Sequence, residues 1–141
     1  AESTYNVASE IDRLKSSGGN GELFMKSYGG ISLHNQSHGE SFMAIMKNRF
    51  SGHGLYILDE PEAALSPSRQ MAMLALMKRL VDQDSQFIIS THSPILMAYP
   101  EAEIIELDET GFRSTPYKET THYRLTNYFL NNTEQMLNEL M

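Results

Sequence analysis

The sequence contains no cysteine, so disulfide bonds and thiolate metal sites are excluded. It has no apolar run that approaches the roughly 18 residues of a membrane span, and no membrane partner is indicated. Basic residues are also few: 11 Lys and Arg against 18 Asp and Glu give a net charge of -7, which argues weakly against a nucleic-acid surface on this segment. The N-terminus does not have the pattern of a secretory signal, so a cytoplasmic location is the default expectation.

The remaining composition is ordinary for a soluble globular protein, with 40% hydrophobic and 21% charged residues among 141. A chain of this length can bury a core and most often forms one domain. We expect three parts within that domain: an N-terminal helix with irregular strands over residues 1–35, a core over residues 36–107, and a C-terminal hairpin with helices over residues 108–141.

The most informative stretch is an apolar run that ends in acids. Residues 55–58 are four apolar residues in succession, which predicts a strand buried on both faces, as in a parallel sheet. Asp59 and Glu60 follow at the carboxyl end of this strand, where open α/β sheets place their ligands. One carboxylate there can hold Mg²⁺ through its water shell, and a neighbour can polarise an attacking water. Taken alone, such acids more often mark a strand end that meets solvent.

The residues after the acids favour a functional site over a strand end that merely meets solvent. Ser66 and Pro67 suit the N-cap and first position of a helix, whose apolar stripe continues to about Asp82. Residues 86–90 predict a second strand, which ends just before His92. A strand–helix–strand unit of this length forms a right-handed crossover between parallel strands. We therefore expect the two acids and His92 at the same edge of the sheet.

Further helices and a third strand are predicted around this unit. Ser37 and Glu40 have the spacing of a capping box, and a helix follows over about residues 38–50. Residues 104–107 predict the third strand, with the next apolar segment pairing back on it, and residues 121–141 predict helices. The residues expected to face the core are Phe42, Ile45, Met46 and Phe50 in the first helix and Met73, Leu74, Met77, Leu80 and Val81 in the second.

Four motifs in this order resemble an ABC-type ATPase head, of the bacterial AAA kind known as predicted ATPases and related to the SMC-like proteins. The apolar strand is similar to a Walker B strand, in which Asp59 matches the magnesium-side acid and Glu60 the catalytic base. His92 matches the switch histidine, and residues 64–67 resemble the D-loop, which implies that Ser66 binds nucleotide. The resemblance implies Mg²⁺ and ATP as cofactors, and hydrolysis by positioning and charge neutralisation.

The fourth motif is the signature that opens the first predicted helix. Residues 37–41 are similar to it, although His38 and Glu40 depart from the usual Ser-Gly-Gly-Gln. In the family, the signature contacts the γ-phosphate held by the opposite subunit, so that ATP is sandwiched in a head-to-tail dimer. The resemblance therefore implies that Ser37, Gly39 and Glu40 bind nucleotide in trans, and that the chain forms a homodimer or otherwise self-associates.

One part of the family pattern is missing, because the sequence has no Gly-x-x-x-x-Gly-Lys-Ser/Thr phosphate loop. The expected fold is therefore a partial P-loop NTPase of ABC type, an α/β protein with a parallel-sheet core and flanking helices but without the phosphate-loop strand. We expect a C-terminal half, truncated or split, whose missing N-terminal half or partner chain carries the loop. Alone, it is expected to bind ATP poorly and to be inactive as an ATPase.

The missing strand has a consequence for the second strand of the crossover. Its centre, residues 87–89, would present an apolar and unpaired edge to solvent. We expect either that residues 104–107 close this gap or that the chain self-associates through it.

Two other functions remain open. A non-catalytic interaction module would keep the ATPase-derived fold and bind a protein partner through the exposed edge or the signature surface. A metal-dependent hydrolase, with a centre built from Asp59, Glu60, Glu62 and His92, is the more distant alternative. The sequence favours the ATPase, because a binding module has no chemical need for both acids and the histidine together.

Overall fold

The computed structural model describes residues 38–141, which form a small α/β arrangement; Ser37 and the predicted elements of residues 1–35 lie outside the described part. The elements are α1 (His38–Arg49), β1 (Leu55–Asp59), α2 (Pro67–Val81), β2 (Gln86–Ser90), β3 (Ile105–Asp108), β4 (Gly111–Ser114), α3 (Thr121–Asn131) and α4 (Thr133–Leu140). Short 3-10 turns occupy Pro61–Ala64, Leu96–Ala98 and Tyr117–Glu119. The described residues divide into two compact units, one with residues 38–56 and Ala64–Phe87, the other with Ile57–Ala63 and Ile88–Met141.

The helices of the first unit, α1 and α2, begin where the sequence predicts. Ser66 is the N-cap of α2, and its hydroxyl accepts the backbone N–H of Arg69 over 3.4 Å. Pro67 stands at the first helical position, where its missing N–H costs no hydrogen bond. The helix ends at Val81, and the N–H of Asp82 returns to the carbonyl of Lys78 over 2.9 Å.

The first unit buries a methionine-rich core between these two helices. Its buried apolar residues are Met46 from α1, Leu65 from the turn before α2, and Met73, Met77 and Leu80 from α2. Two predicted core positions are wrong: Ile45 is 48% exposed and Val81 is 37% exposed. Each lies at the margin of its apolar stripe, where two packed helices cannot cover the full width.

The strands β1 and β2 form a parallel pair, as predicted for the crossover. The N–H of Gln86 donates to the carbonyl of Gly54 over 2.8 Å at the start of the strands. At their other end, the N–H of Glu60 donates to the carbonyl of Ser90 over 2.9 Å. The two strands therefore run in the same direction, with their starts adjacent at one end and their carboxyl ends adjacent at the other.

The prediction that β1 is buried on both faces is wrong. Burial alternates along each strand, and one face presents Ile57 at 71% and Ile88 at 52% exposure. The other face is half-buried, where the ring of Tyr56 stacks on Phe50 with centroids 4.1 Å apart. A continuous apolar run does not distinguish two covered faces from one, because burial depends on which elements pack over the sheet.

The hairpin of the second unit consists of β3 and β4, which pair antiparallel with Leu107 opposite Phe112. The expectation that residues 104–107 close the free side of β2 is therefore wrong. The reason is local: Asp108 accepts the N–H of Thr110 over 2.8 Å, and Gly111 adopts a φ of +121°, so a tight turn returns the chain at once.

The C-terminal helices α3 and α4 are separated at Asn132, as the sequence predicts. In the rest of the second unit, Leu96 and Met97 are buried. No helix in residues 38–141 combines the length and apolar character needed to cross a membrane.

Candidate functional site

Glu60 and His92 are in contact where β1 and β2 end. Glu60 follows directly on β1, and its Oε1 lies 3.2 Å from Nε2 of His92. Both side chains are accessible, at 52% and 66% exposure, so water can reach the pair. The predicted meeting of Glu60 and His92 at one edge of the parallel strands is confirmed.

Glu62 fixes the loop that carries His92. Its Oε1 accepts the backbone N–H of His92 over 2.6 Å, and its Oε2 is buried without a hydrogen-bond partner. The segment directly after β1 thus holds His92 at two points: Glu60 contacts its ring, and Glu62 accepts its backbone N–H. Sequence reasoning missed this role, since the spacing of acids does not reveal which one accepts a backbone N–H from a distant loop.

A second histidine completes the cluster. Nε2 of His122, in the first turn of α3, lies 3.1 Å from Nδ1 of His92. The two rings meet edge to face, with centroids 5.0 Å apart and planes at 89°. No motif in the sequence indicated His122, because its proximity to His92 depends on how the chain returns after the β3–β4 hairpin.

Of the predicted signature residues, Gly39 and Glu40 are described; they belong to the first unit and contact Ala64 and Arg69, on either side of Ser66. Gly39 is buried, and a Cβ at this position would clash with the carbonyl oxygen of Ala64. The carboxylate of Glu40 forms an ion pair with Arg69, with 3.1 Å between Oε1 and NH2. The start of α1 and the first turn of α2 are therefore tied together, and Ser66 is the exposed N-cap of α2.

Comparison with known proteins shows the family. The sequence model of the AAA ATPase domain matches residues 10–97, which is more than half of the chain. The chain belongs to the AAA ATPase domain family. The match includes Glu60 and His92 but ends before His122. No curated protein and no solved structure matched the chain.

AAA ATPases generally use Mg-ATP, and the donors at this edge fit the cation. Asp59 is the last residue of β1 and is exposed, and carboxylate oxygen is a ligand that Mg²⁺ prefers. No group of three or more His, Asp or Glu within residues 38–141 is arranged as a metal cluster. Mg²⁺ needs no such cluster, because it usually takes one or two carboxylates and completes its shell with water and phosphate oxygens.

Proposed function

We propose that this AAA ATPase domain segment supplies the hydrolytic edge of an ABC-type, SMC-like ATP site. The observation that carries the proposal is the 3.2 Å contact between Glu60 and His92 at the carboxyl ends of two parallel strands. Open α/β sheets bind their ligands at that edge. In this proposal Asp59 holds the water shell of Mg²⁺, Glu60 is the base that orients the attacking water, and His92 is the switch histidine.

The chemistry assigned to these residues is positioning. The carboxylate of Glu60 accepts a hydrogen bond from water and is exposed enough to receive one. His92 restrains that carboxylate through its Nε2, while Glu62 restrains the backbone of His92. When bound, Mg²⁺ neutralises charge that develops on the phosphate oxygens. Hydrolysis by a water that Glu60 holds in line then requires no covalent intermediate with the protein.

The signature surface is proposed to act on the nucleotide of an opposing subunit, in a head-to-tail homodimer. Gly39 and Glu40 lie at the start of α1, where helix amides point away from the helix and attract an anion. The ion pair between Glu40 and Arg69 holds this helix start, and in this proposal the exposed Ser66 also contacts the nucleotide. In this proposal the phosphate loop is supplied by a further N-terminal segment or by a partner chain, because the sequence of 141 residues does not contain the Gly-x-x-x-x-Gly-Lys-Ser/Thr motif.

The test is ATP turnover by a polypeptide that carries a phosphate loop together with this segment. Glu60→Gln keeps the shape of the side chain but removes the base, so we expect kcat to fall by about 10²–10⁴-fold with nucleotide binding retained. The matched control is Glu109→Gln, an exposed acid in the turn between β3 and β4, which should leave turnover unchanged. Equal turnover by the wild type and the Glu60→Gln variant would rule out the assigned role.

A second candidate is a non-catalytic interaction module, favoured by the exposed apolar face of Ile57 and Ile88. In that case a polypeptide with an added phosphate loop would show no turnover that depends on Glu60. Partner binding would instead depend on the two isoleucines and would survive Glu60→Gln.

A further inference from the structure

His122 contacts the ring nitrogen of His92 that does not contact Glu60. Nδ1 of His92 lies 3.1 Å from Nε2 of His122, while Nε2 of His92 lies 3.2 Å from Oε1 of Glu60. Glu60, His92 and His122 therefore form a continuous chain of polar contacts. His122 lies outside the residues that match the AAA ATPase domain.

The proton positions in this chain follow from the chemistry of its groups. An ionised carboxylate only accepts hydrogen bonds, so Nε2 of His92 must carry the proton that faces Glu60. A neutral imidazole has one N–H, which leaves Nδ1 of His92 as an acceptor. Its partner, Nε2 of His122, must then be the donor. Both histidines are thereby restricted to the tautomer with the proton on Nε2.

The place of His122 is set by the fold and does not depend on His92. The helix N-cap, Thr120, is 1% exposed, and its hydroxyl donates to the carbonyl of Tyr117 over 2.7 Å. The hydroxyl of Tyr117 donates to the carbonyl of Pro94, two residues after His92, over 2.7 Å. Glu106 accepts the N–H of Thr121 over 2.9 Å, which ties the helix start to β3. His122 is thus presented on an anchored helix turn.

We propose that His122 is a positioning residue, whose Nε2–H donates to Nδ1 of His92 and so fixes the ring and tautomer that present Nε2–H to Glu60. A histidine that is free to rotate would meet Glu60 with either nitrogen. The catalytic consequence rests on the ATPase function proposed above. The hydrogen bond itself does not, and it is measurable without nucleotide.

The experiment is NMR of this chain with ring-¹⁵N histidine, at about pH 8.5, in the alkaline range that favours neutral imidazole. His92→Asn identifies the signals of His92. In the wild type we expect His92 to be almost entirely the Nε2–H tautomer. His122→Phe keeps a ring against His92 but has no donor, and we expect the two nitrogen shifts of His92 to move towards the average of exchanging tautomers.

His122→Gln separates the donor from the ring, because its amide N–H can reach Nδ1 of His92 while no imidazole is present. We expect this variant to restore the wild-type nitrogen shifts of His92. The signals of His53, which lies in the other unit, should be the same in all variants and show that the substitutions act locally. Averaged His92 shifts already in the wild type, no change in His122→Phe, or no restoration by His122→Gln would each overturn the proposal. None of these outcomes depends on ATP hydrolysis.

Discussion

Glu60 has a backbone φ of +43°, in the left-handed region that residues other than glycine seldom adopt. Two contacts hold it there: its N–H bonds to the Ser90 carbonyl, and its side chain bonds to His92. A conformation of this kind costs about 1–3 kcal/mol and persists only where surrounding contacts determine it. It turns the chain sharply after β1, so that the side chain of Glu60 faces the end of β2. The strained backbone is therefore part of how the fold places this carboxylate.

Gly39 is constrained by space in the first unit. A Cβ at position 39 would collide with the carbonyl of Ala64, which is backbone and cannot rotate away. We expect Gly39→Ala to lower the free energy of unfolding by about 1–3 kcal/mol, as overpacking does elsewhere. A loss of stability would indicate this clash, because the same substitution at an unobstructed helix position stabilises the fold by up to about 1 kcal/mol. Urea unfolding of both proteins measures the difference, and a variant as stable as the wild type would show that α1 and the Ala64 turn are not in contact.

The link between the β3–β4 hairpin and α3 is electrostatic and hence sensitive to acid. The N–H of Thr121 donates to Glu106 and lowers the pKa of that carboxyl below its ordinary value of 4.5; burial opposes this effect, and Arg113 adds to it. In the hairpin turn, the hydroxyl and N–H of Thr110 lower the pKa of Asp108. A carboxyl with a lowered pKa stabilises the fold while it is ionised. That contribution is present above pH 4.5 and is lost as the pH falls towards the folded-state pKa.

Glu106→Gln tests this link, because glutamine accepts the Thr121 N–H but does not titrate. We expect the wild type to be more stable than the variant near pH 7, and the difference to shrink at about pH 3.5. Thr121→Pro is the matched control: it removes the donor N–H, and proline suits both the first helical position and the extended Thr120 before it. Urea unfolding at the two pH values measures the differences. A difference in unfolding free energy between the wild type and Glu106→Gln that does not change with pH would contradict a stabilising role of the ionised Glu106.

Local sequence signals predicted the elements well, because they act within a few residues. Ser66 and Pro67 supply a cap and a preset backbone angle, and they fixed the start of α2. The apolar run of β2 and the strand–crossover–strand order were enough to predict that Glu60 and His92 meet. These inferences needed chain geometry and no knowledge of what packs over the sheet.

The errors arose where distant parts of the chain decide the outcome. Ile57 was expected to be buried, but exposure depends on which element covers a sheet face. The pairing of residues 104–107 depended on the competition between a nearby turn and a distant strand, and the turn prevailed. His122 and Glu62 reach His92 through contacts across about thirty residues, for which the sequence contains no periodic signal.

At the scale of the whole molecule, the exposed face of β1 and β2 predicts self-association. Ile57 is 71% and Ile88 52% exposed, and within residues 38–141 β2 pairs only with β1. A strand edge without a partner, next to exposed apolar side chains, favours pairing with another copy. We expect sedimentation velocity to show association that increases with concentration and is reduced by Ile57→Thr combined with Ile88→Thr. Leu107→Thr is the control, since Leu107 is 75% exposed in the separate hairpin. A monomer at every concentration, or an equal effect of the control, would contradict this interface.

Because its sequence has no phosphate loop, the 141-residue chain is predicted to bind nucleotide weakly. The loop's amides and lysine supply most of the contacts to the phosphates, and Asp59 alone offers only a carboxylate for the cation. We expect isothermal titration of the chain with Mg-ATP to give no measurable heat, with Glu60→Gln titrated in parallel to exclude heat from turnover. Binding at micromolar Kd, about -8 kcal/mol, would contradict the requirement for the loop. If the Ile57→Thr and Ile88→Thr variant then lost that affinity, the nucleotide would be held between associated copies; if it kept the affinity, the Asp59 and His92 edge would bind nucleotide unaided.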